Sequence, residues 1–592
     1  MSSLNTDILN KANYWASSEI FSENVRSEVK TLIDQNNSKE LTDRFYRDLE
    51  FGTGGLRGIM GAGTSRMNIY NIRKASTALG LYLKELHGEG EIKVAISHDS
   101  RNRSREFAMA ACEVLASLGI TALITKEMRP VPVLSFMTRH HNCQAGICVT
   151  ASHNPPAYNG FKVYWSNGGQ LVPPHDVNII EKYGSISSYE DLTHMNFEDG
   201  VKEGLIKLVG EDLDEAYLKD VESLRLNPPA SSDAIKIVYS PIHGTGITMV
   251  PKAMNLFGFS DIHIVESQKE PNGDFPTVSS PNPEDPAALK LALDLGEEIG
   301  ADIVLATDPD TDRIAVVVNE GGKFINFNGN QLGCLLMEYV LSSHSRNKNF
   351  PENPLVVKTI VTTKLQDEIC KHYGVDCEDT LTGFKWICDL VERYAKGELG
   401  TKKTFVCGGE ESYGFLAGNF VRDKDAVMSC AIACEMVAYY KSQGKKMTEV
   451  LDEIFLRHGV YHETLYTHTL PGKEGADKIS EIMKNFRQDP PRELCGIKTL
   501  EVWDIKNSKK ISLEDDQPKE IGSIDLPSSN VLQFFLADGS KISVRPSGTE
   551  PKIKFYISVK KELSSKEDLA SKKSEALDLA QKLEKEFVAL SK

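Results

Sequence analysis

The chain has 592 residues, enough for three to five domains at about 150 residues each. Hydrophobic residues make up 40% and charged residues 26%, a composition that builds packed cores and excludes disorder over most of the length. Its 84 acidic and 68 basic side chains give a net charge of −16, which argues against a general nucleic-acid binder but leaves room for a local basic pocket.

Residues 1–50 read as polar and helical, with Val25, Val29 and Ile33 at helical spacing. The glycine-rich FGTGGLRGIMGAG (51–63) follows. NIRKASTALGLYLKEL predicts an amphipathic helix, IKVAISHD (92–99) a buried strand, and SREFAMAACEVLASLG a helix capped at Gly119. ITALIT and GICVTAS (146–152) are further strands. Strands alternating with helices predict a mostly parallel sheet covered on both faces. The same grammar restarts with the strand AIKIVYS (234–240), the helix ITMVPKAMNLFGF, the strand DIHIVE, the helix ALKLALDLGEEIG and the strand ADIVLAT (301–307). It restarts again after residue 325 with QLGCLLMEYVLSSH, PLVVKTIV, TKLQDEICKHYG, KTFVCGG (403–409) and AVMSCAIACEMVAYYKS. Residues 461–592 change character, with the alternating segments VLQFFLA, KISVRP and KIKFYISV and a long charged helix, SKEDLASKKSEALDLAQKLEKEF. DLPSSN and the region near 186–210 are expected to be surface loops. The expected division is three α/β domains at 1–210, 211–324 and 325–460, and an α+β domain at 461–592.

The 11 cysteines are scattered without a CxxC pair, so neither a zinc ribbon nor a thioredoxin-like site is expected. Cys430 and Cys434 sit at helical spacing in an apolar stretch and read as core. The first residues lack the basic and apolar regions of a secretion signal, and no run of about 18 apolar residues occurs. The expectation is a cytoplasmic protein with no membrane span.

Four loops carry chemistry. TASHNPPAYNGFK (150–162) follows a buried strand, and its Asn, Pro and Gly residues form a tight turn that presents Ser152 outward. His153 is adjacent, and Lys162 is close enough in the chain to return to the same pocket. The stretch is not G-x-S-x-G, so a hydrolase elbow is not supported; a polar turn capping the next element is the alternative. ATDPDTDR (306–313) puts carboxylates at 308, 310 and 312 straight after a strand. Alternate side chains of an extended segment share one side, and three converging carboxylates repel without a cation. Hard oxygen ligands suit Mg²⁺. An EF-hand fails because its glycine and glutamate positions hold Arg313 and Asn319. An aspartyl phosphatase with Asp308 as nucleophile is an alternative, although Asp312 stands where that pattern wants Thr or Val. A solvated acidic loop is the bland reading.

GGEESYGF (408–415) offers paired glutamates that can accept hydrogen bonds from sugar hydroxyls, or an acidic turn. RPSGTEPK (545–552) combines the Arg545 guanidinium, the Ser547 and Thr549 hydroxyls and the backbone N–H groups near Gly548 into an anion cradle, or is an ordinary hairpin loop. HGTGITM (243–249) nearly completes a dinucleotide fingerprint but has Met249 where Gly or Ala is required.

These four loops, in this order, resemble the α-D-phosphohexomutase family across nearly the whole chain. FGTGGLRG and LTGFKWI (381–387) resemble its phosphoglucomutase branch, which includes phosphopentomutases and glucose-1,6-bisphosphate synthases. The resemblance implies three α/β domains with mixed sheets around a central cleft plus a C-terminal α+β domain. It implies a phosphosugar mutase that interconverts glucose 1-phosphate and glucose 6-phosphate, with pentose phosphates or bisphosphate synthesis as alternatives. Ser152 is then the phosphorylated nucleophile, and Mg²⁺ is held by Asp308, Asp310, Asp312 and an oxygen of phospho-Ser152. Arg57, Lys162 and Arg313 lie beside the transferring phosphate. Glu410, Ser412 and Lys385 hold the sugar, and Arg545, Ser547, Gly548 and Thr549 bind the other phosphate. Some relatives carry a histidine in the sugar loop as general acid or base; this chain has Tyr413-Gly414-Phe415 there, so Lys424 and His153 are the candidates. Glucose 1,6-bisphosphate is the expected activator. The partner is a small sugar phosphate, with no nucleic acid and no membrane.

Overall fold

The computed structural model describes residues 5–52, 54–88, 90–229, 234–470, 472–515, 517–547 and 552–590. They form two compact units, one of residues 1–327 and 413–439 and one of residues 328–412 and 440–592.

The first unit begins with the helices Thr6–Ser17, Glu23–Asp34 and Ser38–Phe45. Their apolar faces enclose Trp15, Phe21, Val29, Leu41, Phe45 and Tyr70, with Trp15 stacked on Phe21 at 4.2 Å between ring centroids. A six-stranded sheet follows: β1 (Gly55–Ile59), β2 (Lys93–His98), β3 (Thr121–Thr125), β4 (Ala145–Val149), β5 (Tyr158–Trp165) and β6 (Ile206–Val209), in the order β1-β5-β4-β2-β3-β6. Strands β4, β2, β3 and β6 are parallel, whereas β5 and β1 add on antiparallel, so the sheet is mixed. The strands β2, β3 and β4 are buried almost throughout because the helices Ser104–Ser117 and Val131–His140 pack against them.

Region 186–210 is not simply a loop. It holds the helix Phe197–Lys202 and the edge strand β6. Of IKLV only Ile206 is buried, while Lys207 and Leu208 are exposed, so its four residues carry no periodic signal.

The second sheet of this unit contains β7 (Ile237–Ser240), β8 (Ile262–Ile264), β9 (Ile303–Thr307), β10 (Ile314–Asn319) and β11 (Phe324–Asn326), in the order β11-β10-β9-β7-β8. β8, β7 and β9 are parallel, and β10 and β11 are antiparallel returns. ITMVPKAMNLFGF does not form one helix. A 3₁₀ turn, Thr245–Thr248, precedes the helix Val250–Leu256, because Pro251 lacks the N–H that an interior position needs and is suited to a first turn. Residues 413–439 also fall in this unit, though not in this sheet; they include most of the helix Ala426–Ser442, which is buried nearly all round, as its continuous apolar sequence requires.

The second unit opens with the parallel strands Asp376–Thr380, Pro354–Thr359 and Thr404–Glu410. An antiparallel sheet follows, in the order Val460–Thr469, Lys552–Lys561, Lys541–Pro546, Leu532–Leu536, Ile497–Asp504, Lys509–Ser512 and Lys519–Ser523. Phe486 and Phe587, from its two long helices, pack with Phe534 and Phe555 of the sheet. Among the described residues, no helix is long and apolar enough to cross a membrane.

Candidate active site

β4 stops at Val149, short of the predicted strand end, and the chain turns sharply to enter β5. Ser152 sits in that turn with φ 52°, in the left-handed region that a non-glycine residue enters only under constraint. The Thr150 hydroxyl accepts the Ser152 N–H at 2.9 Å. The serine is 4% exposed, and its Oγ donates to Asp308 Oδ2 at 3.0 Å. His153 Nδ1 lies 3.1 Å from Ser152 Oγ. Burial first, then the positive charges of Arg313 and Arg57, push the His153 imidazole well below its ordinary pKa, so it is neutral at pH 7.

The three aspartates after β9 converge, with ligand oxygens all within 4.8 Å of one another and every carboxylate buried. Asp308 Oδ1 accepts the backbone N–H groups of Asp312 and Arg313, each at 3.0 Å, which curls the loop around it. Asp310 Oδ2 accepts from Lys162 Nζ at 2.8 Å and from the Thr150 hydroxyl at 3.2 Å. Asp312 Oδ2 lies 3.2 Å from Lys424 Nζ and 3.4 Å from Lys162 Nζ. Burial, then the neighbouring Asp310 and Asp312, raise the Asp308 carboxyl well above the carboxylate range. At Asp312 burial acts in the same direction, but Lys424, Lys162 and Arg313 outweigh it and hold the group below that range. Lys162 is likewise opposed by burial and held charged by Asp310 and Asp312.

Asp310 Oδ1 and Asp312 Oδ1 are buried without any hydrogen-bond partner. Orphaned anionic oxygens beside a third carboxylate leave unmet charge that a cation satisfies, and an all-oxygen donor set fits a hard divalent ion. The residues therefore fit a metal cofactor.

HGTG, which has the outline of a dinucleotide loop, supports the acidic loop instead. Thr245 donates to the Pro309 carbonyl through its N–H at 2.8 Å and its hydroxyl at 2.9 Å, and its hydroxyl also pairs with that of Thr311 at 2.9 Å. A Cβ on Gly244 would stand 2.4 Å from Pro309 Cα, so only glycine admits this approach.

Around this centre, Arg57 is exposed on β1, paired opposite Gly160, and its Nη1 donates to Asn154 Oδ1 at 3.2 Å. Arg313 is ion-paired with Glu284. The Ser280 hydroxyl donates to the His153 carbonyl at 3.0 Å. Two further contributors, Thr150 and Arg101, carry no mark of their role in the sequence motifs. Arg101 reaches the serine loop from the end of β2, and the available signal was its place: HDSRNRS leaves the same carboxyl edge of the sheet as TASHNP, where ligands of α/β sheets gather.

In the second unit, Glu410 Oε1 accepts the Gly383 N–H at 2.9 Å, so the GGEES and TGFKWI loops meet. Lys385 Nζ lies over the Trp386 ring at 4.8 Å, and Ser412 is half-buried. Glu411 lies beside them, accepting from the Thr359 and Thr362 hydroxyls at 3.1 and 3.2 Å; burial and then Glu410 raise its carboxyl. Arg545 lies on the strand Lys541–Pro546, and the Ser547 N–H donates to the Lys552 carbonyl at 2.7 Å. Gly548 and Thr549 lie outside the described residues.

Family models match in chain order: phosphoglucomutase/phosphomannomutase alpha/beta/alpha domain I at residues 48–190, domain II at 215–322 and domain III at 328–458. A phosphoglucomutase of Staphylococcus epidermidis is 35% identical over 535 residues, covering 90% of this chain and 94% of that one. One from Staphylococcus aureus is 35% identical over 534 residues, covering 90% and 93%. The fold is shared with the open form of the parafusin phosphoglucomutase of Paramecium (TM-score 0.62, 17% identity, 90% of this chain and 95% of that one). It is shared also with a Burkholderia thailandensis phosphoglucomutase/phosphomannomutase family protein (TM-score 0.61, 18% identity, 90% and 97%). With three family domains matched in order and a third of the residues shared along nine-tenths of its length, the chain belongs to the phosphoglucomutase/phosphomannomutase family.

Proposed function

We propose that the chain interconverts glucose 1-phosphate and glucose 6-phosphate through a phosphoserine at residue 152 and a bisphosphorylated sugar. The observation that carries this reading is Ser152 Oγ at 3.0 Å from Asp308, on the rim of a buried triad with two orphaned oxygens. Phospho-Ser152 gives its phosphoryl group to a sugar hydroxyl. The P–Oγ bond breaks and a P–O bond to the sugar forms; the sugar hydroxyl's proton passes to a base, and Ser152 Oγ takes up a proton in turn and leaves as the hydroxyl. The reverse transfer, from the sugar's other phosphate, reloads Ser152.

Mg²⁺ held by Asp308, Asp310 and Asp312 would neutralise charge on the phosphoryl oxygens when bound. Lys162 and Lys424, both ion-paired and charged, hold the transferring phosphate, with Arg57 and Arg313 contributing positive charge nearby. His153, a neutral imidazole beside Ser152 Oγ, is the group suited to accept the proton. Glu410, Ser412 and Lys385 hold the sugar, and Arg545, Ser547, Gly548 and Thr549 the remaining phosphate. Glucose 1,6-bisphosphate reloads any serine that has hydrolysed. The domains divide at 1–210, 211–324, 325–460 and 461–592. All eleven cysteines are free, which supports a reducing compartment, the cytoplasm.

The test is a substrate panel. The purified protein with Mg²⁺ and a trace of glucose 1,6-bisphosphate is given glucose 1-phosphate, mannose 1-phosphate or ribose 1-phosphate. Preferred isomerisation of glucose 1-phosphate is expected, and isomerisation of none of them overturns the reading.

A further inference from the structure

The turn that carries Ser152 points four carbonyls inward, those of Ser152, Asn154, Pro155 and Tyr158. Inward carbonyls with no donor would cost about 1–3 kcal/mol each. One side chain meets all four. Arg101 Nη2 donates to Ser152 O at 2.6 Å and to Asn154 O, and Nη1 donates to Pro155 O at 3.0 Å and Tyr158 O at 3.1 Å. Its Nε lies 3.3 Å from Asp99 Oδ2, and Asp99 Oδ1 is fixed by the Ser104 hydroxyl at 2.6 Å and the Arg101 N–H at 2.9 Å. The Phe275 ring covers the guanidinium, 5.0 Å from Cζ. Arg101 is 3% exposed, so its charge is spent entirely inside this frame.

We propose that Arg101, oriented by Asp99, is the positioning residue of the phosphoserine loop, holding Ser152 in its left-handed conformation so that Oγ faces Asp308. Arg101 does not contact Oγ, so it acts on turnover through the loop. Only a guanidinium does this: its planar fork serves two carbonyls from each terminal nitrogen while its charge stays paired with Asp99, whereas an ammonium has three donors on one atom. The consequence for turnover rests on the mutase reading, and the consequence for the loop does not.

The experiment uses the full chain as wild type, Arg101→Lys and Arg101→Met. Three quantities are read: kcat and KM for glucose 1-phosphate, amide hydrogen exchange across residues 150–158, and rescue by millimolar guanidinium. Both variants are expected to lose kcat on the order of 100-fold, the cost of a reacting group displaced by about 1 Å, with KM nearly unchanged. Exchange should accelerate in 150–158 while the second unit stays as in wild type. Guanidinium should restore part of kcat in Arg101→Met and leave wild type unmoved. A folded Arg101→Lys with wild-type kcat and wild-type exchange in the loop overturns the proposal, as does a rise in KM alone. If Arg101→Met fails to fold, Arg101→Lys alone decides by the same criteria. Accelerated loop exchange in the variants of a protein whose wild type isomerises no sugar phosphate refutes the mutase reading and leaves the positioning role standing.

Discussion

Exchanging Asp308 for asparagine separates a cation site from an acidic loop. The change keeps shape and the backbone bonds: Oδ1 still accepts the N–H groups of Asp312 and Arg313, while Nδ2 donates to Ser152 Oγ, whose own proton turns to His153 Nδ1. The main change is the loss of one negative charge. The ligand oxygens lie within 4.8 Å of one another, and two like charges at that distance repel by about 3–4 kcal/mol at an effective dielectric of about 20. Asp308 faces two such neighbours, and burial together with their charges raises its carboxyl well above the carboxylate range, while Arg313 offsets part of the repulsion. The cation-free variant should therefore be more stable than wild type by about 2 kcal/mol, roughly 3 °C in melting temperature for a unit of this size. Mg²⁺ at about 100 times its Kd would stabilise wild type by about 2.7 kcal/mol. The variant has lost one of three anionic ligands and should gain little. Melting both proteins in EDTA and in Mg²⁺ reads this directly. A variant that melts below wild type in EDTA, or that gains as much from Mg²⁺, would refute the reasoning.

Gly244→Ala should push against Pro309 and cost about 1–3 kcal/mol, with a weaker Mg²⁺ affinity measured by calorimetry although residue 244 carries no ligand. Glu463 tests buried charge in the second unit. Burial raises its pKa to about 7 against the opposing Thr363 and Ser558 hydrogen bonds and Lys541, above about 4.3 when unfolded. Its stabilising contribution is complete below about pH 4.3 and is lost as pH rises to about 7. Glu463→Gln should therefore exceed wild type by up to about 3 kcal/mol in denaturant melts at pH 8, and match it near pH 4; a constant difference across that range would count against the burial argument.

Much of this molecule is legible in its residues, for reasons that differ from place to place. Buried strands such as Ile303–Thr307 are read easily because both faces are apolar. The acid spacing at 308, 310 and 312 is legible because few loops beside a core strand carry such charge without a cation. The edge strand Gly55–Ile59 is hidden in a glycine-rich sequence, since its pairing with β5 is made by backbone groups that any residue supplies. Arg101 is hidden for another reason. Its partners are carbonyls of a loop some fifty residues away, and a carbonyl leaves no mark on composition. HGTG misleads because glycines that admit a phosphate and glycines that admit Pro309 are written alike.

The account stands on Ser152 as the place where phosphate is stored. Wild type and Ser152→Ala, each incubated with Mg²⁺ and glucose 1,6-bisphosphate, can be weighed intact and mapped by peptide, with isomerisation measured alongside. The account predicts one phosphoryl group at residue 152 in wild type, none in the variant, and turnover lost with it. A phosphate carried elsewhere, such as on Asp308, or a Ser152→Ala protein that still isomerises glucose 1-phosphate, would contradict it.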